Sequence, residues 1–488
     1  MPWAALAAAV AVAAGLQLST PHLVGVDSAF HIRFAAVIRE AGLAGYPPPF
    51  PWLPLTILAP DRYADHHMLY HLFLVPFTLG DLRLGGKLAA VTATAILLVA
   101  FAWVLRRERV PAIPLALLAL GASSADLLFR LGMVRVQALS VACLLVGFHL
   151  ALAHRHLALA ALACVYAWLY DGFLLLAVPV GAVVAAELVA ARRLRPGIAL
   201  AALAGAAVGL VVNPYFPEYL TFMAHHFGDK LVESESVRVG REWLPYNPIS
   251  LLGNALMAML YVALGVAVAS ERGILKDRRA LAALLVAATF LALMLRSKRF
   301  IEYFAPAATL FAALTVGAVV PALTAARRRA LVALLAAVAT ANVVGVAWAF
   351  RVKSDDLALY APAARLVAER APPGAMLCAT DWDDFPPLYF HNVESTYLVG
   401  LDPTYLRNRF RDAYWQWVDV TRGRSSQPAR LFRDRLPCAY VFSDRLHGAF
   451  LEQAAADPGL TEVLANDAMV LFRVERDGPP PVHPTRIE

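Results

Sequence analysis

Two short polar stretches hold the residues of this chain best suited to chemistry. The first, V-D-S-A-F-H-I-R at residues 26–33, places Asp27, His31 and Arg33 directly after the first apolar segment. The second is D-H-H at residues 65–67. A carboxylate at the edge of a membrane can take a proton from an acceptor hydroxyl as that oxygen attacks, a contribution of roughly 10² to 10⁴ in rate. Asp27 is therefore the candidate general base.

Asp27 also has a purely structural interpretation. If residues 27–40 form a helix, Asp27 lies at its start, where a carboxylate caps backbone amides. His31 and Phe34 would then share its face of the helix. In the catalytic interpretation Asp65 is the partner of Asp27, and His31, His66 and His67 bind substrate. The residues alone leave both interpretations open.

Asp27, Asp65 and His66 also suit a divalent metal ion, because carboxylate and imidazole groups are common ligands of such ions. The alternative is that these side chains are simply solvated, since adjacent histidines project differently. A metal ion therefore stays an open expectation. No Walker loop or G-x-G-x-x-G fingerprint predicts a nucleotide cofactor.

The composition predicts the environment in which these residues act. The chain has 488 residues, of which 60% are hydrophobic and 16% charged, whereas soluble domains carry about 25% charged residues. Its net charge of +7 is divided among short clusters between apolar runs, which does not favour nucleic acid as a partner. We therefore expect a polytopic α-helical protein whose partners include membrane lipids.

Apolar runs of roughly 17 to 25 residues predict about eleven transmembrane helices. They cover residues 3–24, 87–105, 111–128, 134–152, 156–171, 173–190, 197–213, 249–270, 280–295, 300–321 and 329–350. The shorter apolar run 67–79 is predicted to lie as an interfacial helix on the outer surface.

The positive-inside rule then orients these helices. Four basic clusters fall on one side, which we take as the cytoplasm: Arg106, Arg107 and Arg109; Arg192, Arg193 and Arg195; Arg272, Lys276, Arg278 and Arg279; and Arg327–Arg329. The N-terminus is then cytoplasmic. The loops 25–86 and 214–248 and a small α/β domain at 351–488 lie outside, while residues 1–350 form the membrane domain. The mixed charge of the loop 214–248 predicts a solvated segment, which could be a lid over the acceptor site. We expect a multi-pass protein of the plasma (inner) membrane whose active site faces the periplasm or exterior.

This orientation leaves several basic residues on the outer side, where the rule predicts few. They are Arg33, Arg130, Arg135, Arg296, Lys298 and Arg299. Each could anchor a helix end by extending to the interface, but as a set they predict a bound anion. Tyr170 and Asp171 end the fifth span on the same side and are candidates for substrate contact.

The order of these features resembles the GT-C superfamily of membrane glycosyltransferases. V-D-S-A-F-H-I-R-F from Val26 is similar to the first outer loop of oligosaccharyltransferase catalytic subunits. D-H-H-M-L-Y-H-L from Asp65 is similar to the juxtamembrane segment of protein mannosyltransferases and aminoarabinose transferases. S-K-R-F-I-E-Y-F-A-P from Ser297 looks like the R-F-x-x-Y element that oligosaccharyltransferase-like proteins place near the lipid phosphate.

The resemblance implies a function for the outer basic set. Enzymes of this superfamily take a sugar from a polyprenyl-phosphate carrier, so the six outer basic residues would hold the donor phosphate, and planar guanidinium groups pair well with phosphate oxygens. The implied activity is a probably inverting sugar transfer on the outer face of the membrane, with Asp27 as base. The acceptor, a glycan, a lipid or a protein, stays unknown.

The C-terminal region has one run that bears on the acceptor. D-W-D-D-F-P-P-L-Y-F from Asp381 follows the last span, as the acceptor-recognising W-W-D-Y-G element does in oligosaccharyltransferases. Trp382 and Asp383 match that element, whereas its second Trp and its Tyr-Gly have no counterpart, so recognition of an asparagine sequon is not implied. The alternative is a loop whose aromatic residues pack against the membrane domain. Residues 375–380, 438–443 and 468–474 are predicted strands of this domain. Cys378 and Cys438 lie near the first two and could pair in an oxidising compartment.

The main alternative function is a transporter or flippase of lipid-linked glycan intermediates, and a non-catalytic assembly subunit is a weaker third. Broken helices and charged residues within the membrane would favour transport. The predicted spans lack buried charges, which favours the enzyme.

Overall fold

The chain is mostly helical. In the computed structural model, residues 2–232, 240–273, 276–354 and 356–475 are described. The helices up to residue 354 are α1 (Pro2–Gln17), α2 (Asp27–Ala41), α3 (Met68–Leu74), α4 (Leu82–Arg107), α5 (Ile113–Ser123), α6 (Ala125–Leu131), α7 (Gln137–Leu152), α8 (His156–Leu169), α9 (Ala177–Ala191), α10 (Gly197–Val211), α11 (Glu218–Val232), α12 (Pro248–Arg272), α13 (Arg278–Arg296), α14 (Ile301–Thr315) and α15 (Ala325–Lys353).

The rest of the chain mixes helices with strands. The helices are α16 (Ala361–Arg370), α17 (Phe385–His391), α18 (Thr404–Arg409), α19 (Arg411–Thr421), α20 (Pro428–Asp434) and α21 (Gly448–Ala456). The strands are β1 (Met376–Ala379), β2 (Thr396–Tyr397), β3 (Cys438–Asp444), β4 (Leu460–Ala465) and β5 (Met469–Val474). Short 3-10 turns used below are Asp171–Leu176, Arg241–Trp243 and Lys298–Phe300.

The chain divides into two compact units, and each consists of three separate segments. The first, here called the helical unit, comprises Met1–Val24, His66–Asn213 and Gly240–Ser354. The second, here called the sheet unit, comprises Gly25–Asp65, Pro214–Val239 and Asp355–Glu488, as far as these are described. This division differs from the predicted single boundary at residue 350, because parts of both predicted outer loops belong to the sheet unit.

Several helices of the helical unit have the length and composition of membrane spans. Among the described residues, six helical segments are long and apolar enough to cross a membrane: Leu82–Arg107, Asp171–Ala190, Pro248–Arg272, Arg278–Arg296, Lys298–Ala318 and Ala325–Lys353. The bent pair α5 and α6 adds a seventh if it is one span. These helices are typical of a multi-pass membrane protein. The count of eleven spans, the cytoplasmic N-terminus and the interfacial position of α3 stay predictions.

One predicted span is broken in the structure. Residues 111–128 were expected as one helix, but α5 ends at Ser123 and α6 continues at an angle of 93°. Ser124 between them has extended backbone, and its hydroxyl accepts a hydrogen bond from the backbone N–H of Leu127 at 3.1 Å. A serine that caps the following helix in this way disfavours continuation of the preceding helix through the same residue. The break gives α6 its own direction and thereby positions Arg130.

Small residues allow two helices of the helical unit to pack closely. A Cβ atom on Gly205 of α10 would lie 2.0 Å from the backbone oxygen of Ala160 in α8, and one on Gly209 would lie 2.7 Å from that of Cys164. The indole N–H of Trp168 also donates to the Gly209 carbonyl at 2.7 Å. Only glycine permits this approach of two backbones, as in other closely packed membrane helices.

The expectation that the spans lack buried charges is wrong. Lys87 in α4, Glu187 in α9 and Glu302 in α14 are all buried. Each has partners: the Lys87 ammonium donates to the backbone oxygens of Gln17 and Thr20, and Glu187 accepts from Arg278 and His154. A buried charge is tolerated where such partners compensate its lost hydration.

The sheet unit is built on a five-stranded mixed sheet of order β2-β1-β3-β5-β4. The strand β1 pairs in parallel with β2 and β3, while β5 pairs antiparallel with β3 and β4. The disulfide between Cys378 and Cys438, which the sequence left open, joins β1 to β3. The predicted strands at 375–380, 438–443 and 468–474 correspond to β1, β3 and β5. β2 and β4 were missed, since the first has two residues and the second is largely exposed.

The proline-rich stretch 46–54 packs on the C-terminal residues within the sheet unit. The indole N–H of Trp52 donates to the Val393 carbonyl at 2.7 Å, and the Tyr397 N–H donates to the Trp52 carbonyl at the same distance. The ring of Phe50 stacks on Tyr63 with centroids 4.3 Å apart. A segment that cannot form a helix is thus held by hydrogen bonds and aromatic packing.

The predicted outer loop 214–248 contains a helix, α11, in its first part. Within the sheet unit, His226 of α11 lies 3.0 Å from the hydroxyl of Tyr405 and stacks on Phe222 at 5.3 Å. This part of the predicted loop is therefore helical, and it has exposed positions such as Glu218 and His225. Residues 233–239, which the sequence suggested as part of a lid, lie outside the described residues, and the chain from Gly240 belongs to the helical unit.

Candidate functional site

Three of the predicted phosphate-binding arginines converge on one carboxylate in the helical unit. Arg130 and Arg135 donate to one oxygen of Glu242 at 3.1 and 3.0 Å, and Arg299 donates to the other oxygen at 3.0 Å. These four side chains, together with Glu302, are here called the arginine cluster. The structure thus brings Arg299 together with Arg130 and Arg135, from which it is far apart in sequence.

Four members of the cluster are positioned by a short element or an irregular turn. Arg130 lies on the short helix α6 that follows the break at Ser124, and Arg135 lies in the turn between α6 and α7. Arg299 belongs to the 3-10 turn Lys298–Phe300 that leads into α14. Glu242 is the middle residue of another 3-10 turn. Side chains from such connections can meet at one point without interrupting the long helices.

Glu302 is the second carboxylate of the cluster. It lies in the first turn of α14, and its Oε2 atom accepts from Nε of Arg130 at 2.7 Å. Its side chain is 3% exposed, compared with 22% for Glu242. Its Oε1 atom is buried without a hydrogen-bond partner.

The cluster carries an excess of positive charge. Among its five side chains, three guanidinium groups face two carboxylates, which leaves one positive charge. Burial would raise the pKa of Glu242, but the charges of Arg135, Arg299 and Arg130 outweigh it and hold that pKa well below its usual value. Glu242 is therefore ionised at neutral pH, and its carboxylate is the anion that the three arginines share.

Residues beside Arg299 contact the turn that holds Glu242. The hydroxyl of Ser297 donates to the Glu242 carbonyl at 3.1 Å, and the Lys298 N–H donates to the Leu244 carbonyl at 3.0 Å. The Arg299 guanidinium lies over the Trp243 ring, 4.9 Å from its centroid. These contacts explain the position of Lys298, which was predicted to bind phosphate directly. Arg296 is exposed at the end of α13.

One predicted substrate-binding residue contacts the arginine cluster, and others lie next to it. Arg299 donates to the hydroxyl of Tyr170 at 3.3 Å. The ring of His67 lies 5.3 Å from that of Tyr170 and 4.2 Å from that of His66. Asp171, next in the chain, is buried at the start of a 3-10 turn. His66, His67 and Tyr170 thus form an aromatic side of the arginine cluster.

The two predicted catalytic carboxylates belong to the sheet unit. Asp27 is the first residue of α2, and the sequence predicted this position for it. Its side chain is half-buried. On the same helix His31 and Phe34 are buried, and Arg33 is half-buried with an Nε atom that has no hydrogen-bond partner. A negative charge at the first turn is stabilised by the helix dipole. Arg33 lies outside the helical unit that holds the arginine cluster.

Asp65 is 2% exposed and lies among tyrosines of the sheet unit. Burial raises the pKa of Tyr63, Tyr215 and Tyr46, and the negative charge of Asp65 raises each of them further. These hydroxyls therefore remain protonated and available as hydrogen-bond donors near a buried carboxylate. These surroundings suit a carboxylate that orients another group through hydrogen bonds and does not contact solvent.

The residues proposed for a metal ion do not form a convergent set. Among the described residues, no group of three or more His, Cys, Asp or Glu side chains is arranged to hold a metal ion. Asp27, Asp65 and His66 therefore do not fit a three-ligand site in this arrangement.

Solved structures with the same architecture are glycosyltransferases. The oligosaccharyltransferase of Archaeoglobus fulgidus in the apo form matches with a TM-score of 0.63 at 13% identity, covering 94% of this chain and 71% of that chain. ArnT from Cupriavidus metallidurans bound to undecaprenyl phosphate matches with a TM-score of 0.60 at 18% identity, covering 97% and 98%. The arabinofuranosyltransferase AftD from Mycobacteria matches at 0.52 and 16%, covering 97% and 40%.

This chain has the GT-C glycosyltransferase fold. The resemblance predicted from the sequence is confirmed at the level of fold, across nearly the whole chain. No family model matches the sequence, and neither does any curated protein.

Within the GT-C fold, the predicted acceptor residues lie in the sheet unit. Trp382 is half-buried and packs against the hydrophobic core of that unit. Asp383 is half-buried next to the fully buried Asp384. Burial raises the pKa of Asp384 well above its usual value, and the charges of Asp383, Asp444 and Asp381 raise it further. Trp382 thus has a packing role, and acceptor contact by either residue stays a prediction.

Sequence reasoning missed the two carboxylates of the arginine cluster. Glu242 was one of many charged residues in the loop 214–248, and Glu302 was not considered. A usable signal was present for Glu302, because it follows Arg299 by three residues at the start of a predicted span, where a carboxylate needs a cationic partner. The pairing of Glu242 with arginines of two other segments depends on tertiary structure.

Proposed function

We propose that the protein is an integral membrane glycosyltransferase that transfers a sugar from a polyprenyl-phosphate-linked donor to an acceptor. The observation that carries the proposal is the arginine cluster, an anion site with excess positive charge on the fold of lipid-dependent glycosyltransferases. Two neighbours of that fold are bound to lipid phosphates: ArnT to undecaprenyl phosphate and the archaeal oligosaccharyltransferase AglB to a dolichol-phosphate.

The arginine cluster would stabilise the leaving group. As the bond between the anomeric carbon and the phosphate oxygen breaks, the phosphate leaves with the electron pair and gains negative charge. Arg130, Arg135 and Arg299 are already oriented toward one anion, so they can stabilise that charge without reorganisation. His66, His67 and Tyr170 offer aromatic surfaces and polar atoms for the sugar beside the phosphate.

The acceptor oxygen would be activated by Asp27. Its carboxylate takes the hydroxyl proton as the acceptor oxygen bonds to the anomeric carbon, on the face opposite the departing phosphate, which inverts the configuration. Asp65 is buried among protonated tyrosines, so its proposed role is to orient a reacting group and not to exchange protons with solvent. We further propose that this reaction takes place in the plasma (inner) membrane, on the side facing the periplasm or exterior.

The acceptor class stays open among glycan, lipid and protein. The archaeal neighbour was captured with an inhibitory peptide, but the partial match at Trp382 and Asp383 does not extend to an asparagine sequon. The alternative of a transporter or flippase is not favoured, because the structural neighbours are transferases.

Donor consumption tests the proposal. The full-length protein in detergent is incubated with radiolabelled pentose and hexose derivatives of undecaprenyl phosphate and with a cell-envelope extract as acceptor. We expect the labelled sugar to leave the lipid and polyprenyl phosphate to appear. A transporter would leave every donor intact, which would overturn the proposed activity.

Asp27→Asn isolates the proposed base. We expect transfer to fall by roughly 10² to 10⁴, because the amide cannot accept the proton, while thermal stability and elution from a sizing column stay unchanged. Asp61→Asn, at an exposed position of the same loop, is the matched control and should keep full activity. Normal transfer by the Asp27 variant would show that another residue is the base.

A further inference from the structure

The two carboxylates of the arginine cluster differ in how firmly they are held. Glu302 projects from the helix α14 and is almost completely buried against Arg130. Glu242 projects from a three-residue 3-10 turn and is 22% exposed. Helix residues move with a whole packed element, whereas a short turn can change conformation alone. Glu242 is therefore the exchangeable carboxylate, and Glu302 is the fixed counterion of Arg130.

The contacts of Glu242 match those that a phosphate group would require. One of its oxygens accepts from Arg130 and Arg135, and the other accepts from Arg299. Carboxylate and phosphate are the two oxyanions that the planar guanidinium donors fit best. An anion bound here must therefore use the same donors that Glu242 now uses.

We propose that Glu242 occupies the position of the donor's phosphate group when no lipid phosphate is bound, and that a lipid phosphate binds by displacing it. This inference rests on the proposed function, because it assigns the occupant of the same anion site. Displacement moves the turn Arg241–Trp243 away from the arginines and breaks the stacking of Trp243 on Arg299. Binding of the donor and movement of this turn are then one event.

The negative charges of lipid phosphate and of Glu242 make their exchange at the arginines reversible. A phosphate monoester carries about −1.5 to −2 charges at neutral pH, compared with −1 for Glu242, so the polyprenyl phosphate product competes well for three guanidinium groups. Glu242 competes in return and assists product release. The apparent affinity for lipid phosphate is accordingly lower than the intrinsic affinity. It equals the intrinsic affinity multiplied by the fraction of molecules in which Glu242 has left the site.

The first test measures binding of tritiated undecaprenyl phosphate to the full-length protein in detergent. Glu242→Gln removes the competing charge and keeps the shape of the side chain, so we expect roughly tenfold tighter binding. Glu218→Gln, the same change at an exposed position of the predicted loop 214–248, should leave the affinity unchanged. Equal or weaker binding by the folded Glu242 variant would overturn the inference.

The second test needs no change at Glu242 and so does not depend on the stability of that variant. Trp243 reports the position of the turn, and subtracting the emission of a Trp243→Phe variant isolates its signal from the other tryptophans. We expect undecaprenyl phosphate to change this emission with the midpoint of binding, and undecaprenol, which lacks the phosphate, to have no effect. Binding of undecaprenyl phosphate without a change at Trp243 would contradict displacement.

Inorganic phosphate distinguishes a lipid headgroup from a free anion. We expect it to produce the same change at Trp243, but only at concentrations far above those of undecaprenyl phosphate, because it lacks the apolar tail. Equal potency of the two would assign the site to free phosphate and overturn the lipid as occupant. If undecaprenyl phosphate binds but Glu242 stays in place, only this inference fails; if it does not bind at all, the proposed function fails as well.

Discussion

Arg130 and Arg135 lie five residues apart, Arg299 lies on a distant segment, and all three contact the same carboxylate. Their role depends on this convergence rather than on their charge alone, because other basic residues on the predicted outer side, such as exposed Arg296, have the same charge without the geometry. At the scale of single residues, fixed donors around one point distinguish a binding site from a set of helix anchors.

Replacing Arg299 by lysine separates geometry from charge. Arg299→Lys keeps the charge but loses the planar pair of donors that contacts both Glu242 and Tyr170. A charge-assisted hydrogen bond contributes about 1.5–3 kcal/mol, so we expect binding of undecaprenyl phosphate to weaken by roughly 10- to 100-fold. Arg83→Lys, at the exposed start of α4, is the control. Unchanged binding by Arg299→Lys would exclude a direct role for the guanidinium group.

Asp384 makes stability depend on pH. Its folded pKa is raised by burial and by neighbouring Asp383, Asp444 and Asp381. The contribution of Asp384 to the free energy of unfolding is complete below the pKa of the unfolded state, about 3.9. That contribution is lost as pH rises toward the pKa of the folded state. We expect Asp384→Asn to be more stable than the wild type at neutral pH, with the difference vanishing near pH 4. Thermal unfolding across that range measures it.

The control for this prediction is Asp467→Asn, which changes an exposed aspartate of the same unit. Its unfolding temperature should follow that of the wild type at every pH. A loss of stability in Asp384→Asn at neutral pH would instead mean that the ionised carboxylate stabilises the fold.

At the scale of elements, irregularities position the site and regular helices support it. The break at Ser124, the turn between α6 and α7, and the 3-10 turns at Arg241–Trp243 and Lys298–Phe300 hold the cluster. The long helices supply a rigid frame, and close packing such as that of α8 on α10 stabilises it. Connections between rigid elements commonly carry functional residues for this reason.

Gly205→Leu tests the packing of α8 on α10. Any side chain at this position meets the Ala160 backbone, which cannot move aside. Overpacking typically costs about 1–3 kcal/mol, so we expect a lower unfolding temperature in detergent and a lower yield of folded protein. Gly253→Leu, where a Cβ atom meets nothing within 4 Å, should behave like the wild type. Equal stability of the two variants would contradict the close approach.

At the scale of the whole molecule, the order of segments along the chain differs from their grouping into compact units. Both compact units use residues from the beginning, middle and end of the chain. The loop that follows the first apolar helix is part of the sheet unit together with the C-terminal residues, and Asp27 belongs there with it. A mutation in the C-terminal region can therefore affect the surroundings of the proposed base.

Cysteine labelling tests the predicted orientation in the membrane. Leu446 in the sheet unit is 89% exposed, and Leu157 at the start of α8 is 86% exposed. In a background without Cys143 and Cys164, we expect Leu446→Cys to react with a membrane-impermeant maleimide in intact cells, or in spheroplasts if an outer membrane is present. Leu157→Cys should react only after the plasma membrane is permeabilised. The opposite pattern would reverse the topology and exclude an outward-facing sheet unit.

The sequence by itself determined the class of environment, the helices and the resemblance to GT-C enzymes. Apolar run length and charge clusters are local properties, and so are the helix that begins at Asp27 and the strands β1, β3 and β5. Only the tertiary structure decided that Arg130, Arg135 and Arg299 share Glu242 and that the loop after the first helix belongs with the C-terminal sheet. These features depend on contacts between residues far apart in the chain, and no local pattern encodes which of many possible pairs will form.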